Sequence, residues 1–259
     1  MPMSPDRAQN LVPILRVIAD AGAALLASGA EVARVEDTMR RLAAAYELKS
    51  VEAIALPTAL FLHADGVHTV IRRIRRRSVN LAVVAAINQL SRDVSRDPVG
   101  LEELEGRLRE AQNTSRYNRR ANLLFAGVAA AALSRLMGGH LPDVLPAFVD
   151  GALTQAMLQW CRELGLASGV GDLLAAMVAV LPAVIAASLG ITHPGSVLVG
   201  GIMVLTPGLL MTTAVRDGIQ GDVLSAAARI LEALLSAGAI AAGATLPLYI
   251  YLALGGRWV

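Results

Sequence analysis

Charged residues are scarce in the second half of this chain of 259 residues. Only twelve of its 44 Asp, Glu, Lys and Arg residues come after Arg120. A helix that crosses a bilayer needs about 20 mostly apolar residues, whereas a water-soluble domain keeps its charges on its surface. Five long apolar stretches follow one another with short breaks, at roughly 121–137, 144–161, 170–189, 196–215 and 226–254. The sequence therefore predicts an α-helical polytopic membrane protein with five transmembrane helices.

Cysteine is almost absent, and so are the patterns of soluble enzymes. The single Cys161 excludes an internal disulfide and a cysteine-based metal cluster. The four histidines are scattered without metal-ligand spacing, and no serine lies in a nucleophile elbow. The run Gly169-Val170-Gly171-Asp172 is too short for a dinucleotide-binding fingerprint. We therefore predict no metal, no cofactor and no catalytic residues, and we expect that the chain is not an enzyme.

Aromatic residues make up only 3% of the chain, so its apolar content comes from Ala, Leu, Gly and Val. Small residues let membrane helices approach closely, which favours a tightly packed bundle. The first ten residues lack the basic start and apolar core of a secretory signal. We therefore expect two domains, a cytoplasmic α+β domain over residues 1–117 and a transmembrane domain over residues 118–259.

Two helices are predicted at the start of the first domain. Apolar residues recur at three- and four-residue steps, which indicates helices over about 10–27 and 30–46 with a break at Ser28-Gly29. Ser28 and Glu31 have the spacing of a capping box. The second helix carries charges that we interpret as a solvated face in preference to a site: Glu31, Arg34, Glu36, Asp37, Arg40 and Arg41.

A hairpin is predicted next. Residues 51–64 read as one strand, Asp65-Gly66 as a turn and residues 68–74 as the returning strand. Pro57-Thr58 lies inside the first strand, and proline cannot donate to a ladder, so the strand should be bulged or at an edge there. Ser78 is placed to cap a helix that runs to about residue 91, and another helix is predicted over 101–114.

Arginine crowds into residues 72–77 and 107–120. Phosphate binding needs such clusters, but aromatic interleaving and a base-reading module are missing, so we expect no nucleic-acid partner. Beside a lipid bilayer, clustered arginine fixes orientation. We therefore predict a multi-pass protein of the inner membrane. The basic residues at the ends of its predicted spans indicate that the N-terminus lies in the cytoplasm. Arg116, Arg119, Arg120, Arg162, Arg216 and Arg229 fall on that side, and Arg135 and Arg257 fall on the other.

The second predicted span contains a carboxylate. Asp150 lies near its middle, followed by Thr154 and Gln155. A carboxylate at this depth costs about 2.5–3.5 kcal/mol on insertion scales, so it must face a cavity or a partner. Two interpretations stay open, a substrate or proton site and a hydrogen bond between helices.

The fourth predicted span contains Thr206-Pro207-Gly208. Pro207 lacks an amide hydrogen and its ring displaces the carbonyl of Met203, which should leave that carbonyl without a partner. Broken helices at this depth commonly expose backbone groups to a substrate. We expect the break to face the interior, opposite the polar face of the second span, as part of the substrate path; the alternative is a packing kink.

Charges return after the fourth span, at what would be the cytoplasmic mouth of a path: Arg216, Asp217, Asp222, Arg229 and Glu232. Arg216 could attract a carboxylate, because a guanidinium pairs with it through two parallel hydrogen bonds. The alternative is a set of loop charges that only determines topology.

The chain resembles the threonine/serine exporter (ThrE) family, in particular its shorter, YjjP-type members, over about residues 15–250. In the soluble part, the residues that carry the resemblance are Gly29, Glu31, Arg34, Glu36, Pro57, Thr58, Arg77, Ser78 and Asn80. In the membrane part they are Thr206-Pro207-Gly208, Ala214-Val215-Arg216-Asp217, Gly221-Asp222 and Arg229-Ile230-Leu231-Glu232-Ala233. Thr213 stands where the family has asparagine.

The resemblance implies export of small polar amino acids such as threonine and serine, or of small dicarboxylates such as succinate, driven by the proton gradient. Long members carry a second membrane domain, so this chain would work with a separate, smaller membrane subunit, as a homo-oligomer, or both. The alternative function is a membrane-anchored cytoplasmic enzyme or sensor in which residues 15–115 do the work.

Overall fold

The computed structural model describes residues 5–48, 50–64, 69–75, 78–114, 118–190 and 193–256, with side chains from residue 11 onward. The described residues are mostly helical. The elements are α1 (Pro5–Ala27), α2 (Val32–Ala45), β1 (Glu52–Leu56), β2 (Ala59–His63), β3 (Val70–Arg73), α3 (Leu81–Arg96), α4 (Leu101–Gln112), α5 (Arg119–Leu136), a 3₁₀ turn (Leu141–Asp143), α6 (Val144–Glu163), α7 (Ser168–Ser188), α8 (Pro194–Leu205), α9 (Gly208–Ile219) and α10 (Val223–Ala253).

The chain forms two compact units. The first unit is Met1–Arg116 with Leu209–Ile230, and the second is Tyr117–Gly208 with Leu231–Val259. The predicted division into residues 1–117 and 118–259 concerns which part lies in a membrane, and it stays a prediction.

An apolar core holds the first unit together. Helix α1 buries residues at helical spacing, Leu15, Ile18 and Leu25, against α2 and the sheet. At Gly22 a Cβ would lie 2.5 Å from the Met39 sulfur, so α1 and α2 touch there through glycine. Full burial of such side chains stabilises a fold by about 1.5–3 kcal/mol each. This unit therefore has a hydrophobic core of its own.

The sheet of the first unit corrects one prediction. Residues 51–64 are two strands and not one: β1 and β2 pair antiparallel, with Leu56 opposite Ala59. Pro57-Thr58 is the two-residue turn between them, a position where proline needs no ladder partner. Strand β3 pairs with β2. The predicted turn at Asp65-Gly66 lies outside the described residues.

Two predicted helix caps are also wrong. Helix α2 begins at Val32, and the Glu31 side chain makes no capping hydrogen bond, so Ser28 and Glu31 form no capping box. Instead Gly29, with φ +87°, ends α1: the Ala30 amide donates to the Leu25 carbonyl and the Gly29 amide to that of Leu26, which is a Schellman motif.

The cap of α3 is Asn80 and not Ser78. The Asn80 carbonyl oxygen accepts from the Val83 amide, and the helix starts at Leu81. The amides of Ser78 and Asn80 donate to the carbonyls of Ala27 and Ser28. The segment before α3 therefore donates hydrogen bonds to carbonyl groups at the end of α1 that have no partner within that helix.

Glycine allows the helices of the second unit to pack closely. A Cβ at Gly151 on α6 would collide with Ala130 and lie 2.5 Å from the carbonyl of Ala126, both on α5. A Cβ at Gly200 on α8 would lie 2.5 Å from the Ala130 carbonyl. Backbones that approach this closely are typical of membrane helix bundles. The low aromatic and high small-residue content predicted this packing.

Two described helices, α7 and α10, are long and apolar enough to cross a membrane. A third crossing is counted if α8 and α9, which are interrupted at Thr206-Pro207, form one broken span. The chain is therefore a membrane protein. Helices α5 and α6 cover the first two predicted spans, but polar residues such as Arg120, Asp150 and Arg162 reduce their apolar length. The count of five spans stays a prediction.

Candidate functional site

A buried ion pair joins α9 and α10 in the first unit. Arg229 Nε lies 2.8 Å from Asp217 Oδ2, and the two side chains are 4% and 0% exposed. The other guanidinium nitrogens donate to the Ala30 carbonyl at 2.9 Å and the Thr213 hydroxyl at 3.4 Å. We call Ala30, Val32, Thr213, Asp217 and Arg229 the Arg229 cluster. Each nitrogen of the guanidinium thus faces an oxygen.

The same cluster completes the N-terminus of α2. Asp217 Oδ1 accepts from the Val32 amide at 3.3 Å, although the two residues are 185 positions apart. The first amides of a helix have no partner within the helix, and a carboxylate there also interacts favourably with the helix dipole. Asp217 therefore provides the capping interaction that the sequence predicted for Ser28 and Glu31.

Glu31 and Arg216 form an ion pair at the edge of the cluster. Arg216 donates to Glu31 Oε1, and Arg34 lies 3.9 Å from the same oxygen. Arg216 is 55% exposed, so this pair is worth at most about 1 kcal/mol. A carboxylate ligand at Arg216 would compete with Glu31 for the guanidinium.

The remaining charges of the predicted mouth lie at the start of α10. The Asp222 amide donates to the Asp217 carbonyl, and the Asp222 carbonyl accepts from the Ala226 amide, so Asp222 directly precedes α10 and accepts its first hydrogen bond. Glu232 is half-buried further along α10. The structure thus brings Glu31, which the sequence had placed on a solvated helix face, together with Arg216, Asp217 and Arg229 of the predicted mouth.

Asp150 lies in the second unit and is 0% exposed. Its Oδ1 accepts from the Thr154 hydroxyl at 3.1 Å, within the same helix. Its Oδ2 has no hydrogen-bond partner among the described residues. A Cβ at Gly201 on α8 would collide with the whole carboxyl group. Gln155, on the same helix, is half-buried.

The break at Thr206-Pro207-Gly208 differs from the prediction in one respect. The Met203 carbonyl does have partners, because the Thr206 amide lies at 3.3 Å and its hydroxyl at 2.7 Å. The threonine replaces the hydrogen bond that Pro207 removes. Thr206 and Gly208 are exposed, and a Cβ at Gly208 would meet no described atom within 4 Å.

Most other residues that carry the resemblance hold the first unit together. Glu36 accepts from the Ala55 amide at 3.0 Å and pairs with Arg40 at 2.9 Å, which links α2 to the sheet. Pro57-Thr58 forms the hairpin turn, and the Thr58 carbonyl accepts from the Ile74 amide at 2.8 Å. Arg77 lies outside the described residues.

Sequence reasoning missed a histidine pair in the second unit. The rings of His140 and His193 lie 4.5 Å apart, and buried Asp143 accepts from both backbone amides. The Leu-Pro-Asp segment after His140 has capping-box spacing, which is a local signal for Asp143. No local sequence pattern indicates that His140 and His193, which are far apart in the sequence, lie next to each other in the fold.

A second missed contact is the hydrogen bond from the Ser236 hydroxyl to Asp172 Oδ2 at 2.6 Å, which joins α7 to α10. Gln159 on α6 has buried side-chain atoms that no described group satisfies. In the described part of the chain, no three His, Cys, Asp or Glu residues are placed to hold a metal. Beside Asp20, Arg73 and Gln112 the first unit has an open cleft of about 350 Å³.

Comparison with known proteins places these residues in a family. The family model described as "Putative threonine/serine exporter" matches residues 16–251. The "Threonine/serine exporter" of Corynebacterium glutamicum is 27% identical over an alignment of 242 residues, which covers 89% of this chain and 50% of that protein. The "Probable threonine/serine exporter" of Mycobacterium tuberculosis (strain ATCC 25618 / H37Rv) is 25% identical over an alignment of 227 residues, which covers 85% of this chain and 42% of that protein.

The chain thus spans about half the length of the curated relatives it matches. No solved structure matches it. The match of the family model includes the Arg229 cluster, Asp150 and the interrupted helix pair. Because that match covers nearly the whole chain, the protein belongs to the threonine/serine exporter family.

Proposed function

We propose that the chain is one half of an exporter that moves small polar amino acids such as threonine and serine across the cytoplasmic membrane. The observation that carries the proposal is Asp150, fully buried among closely packed helices. Helices that only anchor a soluble domain have no use for a carboxylate in their interior, and such groups mark substrate or ion pathways. The names of the two relatives favour an amino-acid substrate over succinate.

The proposal includes a second membrane subunit. The part that this chain matches is about half the length of its two relatives. The proposed subunit is a smaller membrane protein of the same family. Helix α10 offers a surface for it, because most of its apolar stretch is exposed in the chain, whereas nearly half of that of α7 is buried. A second copy of this chain or lipid could cover the same surface, and release by the chain alone in the assay below would argue against the smaller subunit.

The proposed orientation puts the N-terminus in the cytoplasm and five spans in the membrane. It rests on the basic residues at the ends of the spans. In a Cys161→Ser background, an impermeant thiol reagent should label Gly255→Cys in intact cells and should label Gly218→Cys only after lysis. The reverse pattern would contradict this orientation.

Transport itself is tested in proteoliposomes that contain labelled threonine. We expect the chain together with the smaller subunit to release threonine faster than protein-free vesicles. Asp150→Asn should abolish most of this release, while Glu163→Gln on the same helix should not, since Glu163 forms a half-exposed pair with Arg119. Excess unlabelled threonine should compete, and succinate should not.

Three results would change the account. Release by the chain alone would remove the need for a second subunit. Competition by succinate and not by threonine would change the substrate class. Release no faster than from protein-free vesicles, with both subunits present, would contradict export and favour the anchored enzyme or sensor.

A further inference from the structure

We propose that Asp150 binds the proton whose movement drives export, and that loss of this proton separates α6 from α8. The inference rests on the proposed function and deepens it, because it assigns a ligand, a residue and a structural consequence. It begins from a carboxyl group that is completely buried, has one oxygen without a described partner and touches a glycine backbone.

The hydrogen bond of Asp150 argues against a purely structural role. If this side chain held two helices together, it would bond to a group on another helix. Its partner is instead Thr154, one turn further along α6, so the bond joins no two helices. The other oxygen, Oδ2, is satisfied by no described residue. An unsatisfied polar group in a membrane bundle is costly, and it persists where it has a task.

On the side of Gly201, the space beside the carboxyl group excludes larger ligands in this conformation. Gly201 packs so closely that even a methyl group at its Cβ position would overlap both carboxyl oxygens of Asp150. A whole amino acid or a hydrated metal ion is larger than a methyl group, and a metal ion needs several further ligands. A proton needs only the lone pair of Oδ2. The packed state therefore leaves no room for a substrate between Asp150 and Gly201, and it fits a protonated Asp150.

No described countercharge stabilises an ionised Asp150. Helix α8 contains no charged residue. On the other elements packed against α6 the charged groups have partners of their own: Arg119 pairs with Glu163 of α6, Arg135 donates to the Gly139 carbonyl, Asp172 accepts from Ser236, and Asp143 lies beside His193. Arg120 and Arg162 lie near helix ends, 30 and 12 positions away.

An unpaired buried carboxylate carries a penalty of several kcal/mol, which water would relieve. Ionisation of Asp150 therefore favours a state in which α6 and α8 move apart and water reaches the carboxylate. In the proposed cycle Oδ2 takes a proton from the outer solution, the helices close, and the O–H bond later breaks to release the proton on the cytoplasmic side. One proton enters as one substrate leaves, and no oxidation or reduction is involved.

The test measures helix separation and not transport. In the Cys161→Ser background, spin labels are placed at Leu153 on α6 and Val199 on α8, both partly exposed in the chain. As the pH is raised from mildly acidic to alkaline, we expect the label distance to increase by about 1–2 Å or more, the size of known helix shifts in switching proteins. The Glu163→Gln variant should respond in the same way.

Asp150→Asn should keep the short distance at every pH, because its side chain is always neutral. Thermal unfolding of Asp150→Asn in detergent, at the temperature of the parent protein, shows that this variant is folded. A distance independent of pH in the parent protein, or a pH response that persists in Asp150→Asn, would overturn the inference. If the helices separate as predicted but threonine is not released, the proposed function fails and the proton site stands.

Discussion

Replacing Arg229 with methionine is expected to lower the free energy of opening of α2 by about 3–5 kcal/mol. The methionine fills much of the space but leaves Asp217 completely buried without a countercharge. It also removes the donor to the Ala30 carbonyl. Since Asp217 accepts from the first amide of α2, loss of its position should expose the start of that helix. Native-state hydrogen exchange of the full chain in detergent measures this free energy.

Arg216→Met is the matched control, because Arg216 lies on the same helix as Asp217 but pairs with Glu31 at the surface. This variant should lose at most about 1 kcal/mol. The double variant Asp217→Leu/Arg229→Met should recover much of the loss, since it removes both buried charges. If Arg229→Met exchanges as slowly as Arg216→Met, the Arg229 cluster does not stabilise the start of α2.

Gly151→Ala is expected to lower the stability of the second unit by about 1–3 kcal/mol, the usual cost of overpacking. The new methyl group would collide with Ala130 and lie 2.5 Å from the backbone carbonyl of Ala126, which cannot rotate away. Alanine is otherwise better than glycine inside a helix by about 0.5–1 kcal/mol, so the sign of the change depends on the neighbouring helix. Thermal unfolding in detergent reports the change.

Gly238→Ala supplies the control with the opposite sign. Gly238 lies within α10, and a Cβ there would meet no described atom within 4 Å. The same substitution should therefore be neutral or stabilise by up to about 1 kcal/mol. Equal effects of the two substitutions would show that α5 and α6 are not in contact through Gly151.

The helices could be predicted from the sequence, because the apolar spacing that indicates a helix lies within the helix itself. Apolar spacing indicated α1 and α2. The predicted range of α4, 101–114, agrees with the observed Leu101–Gln112 within two residues. The Pro57-Thr58 turn was missed, because a short apolar run with a proline can be one bulged strand or two strands joined by a turn. The antiparallel pairing of Leu56 with Ala59 shows that a turn joins two strands here.

The Arg229 cluster was beyond sequence reasoning for a different reason. Arg216, Asp217 and Arg229 were singled out, but their partners Glu31 and Val32 lie about 185 positions earlier. Only the folded chain determines which charges meet. The same holds for His140 and His193 and for the contact between Asp150 and Gly201. The sequence predicted that Asp150 must face a cavity or a partner, and the structure shows it fully buried with Gly201 packed against its carboxyl group.

The most direct test of the account follows proton movement during export. Proteoliposomes with both subunits, a trapped pH indicator and labelled threonine should show a change in internal pH that begins only when threonine crosses the membrane. Asp150→Asn should lose this change, and Glu163→Gln should keep it. Threonine release at the full rate with no accompanying pH change, or an unaltered pH change in Asp150→Asn, would contradict the claim that this chain exports amino acids by moving a proton through Asp150.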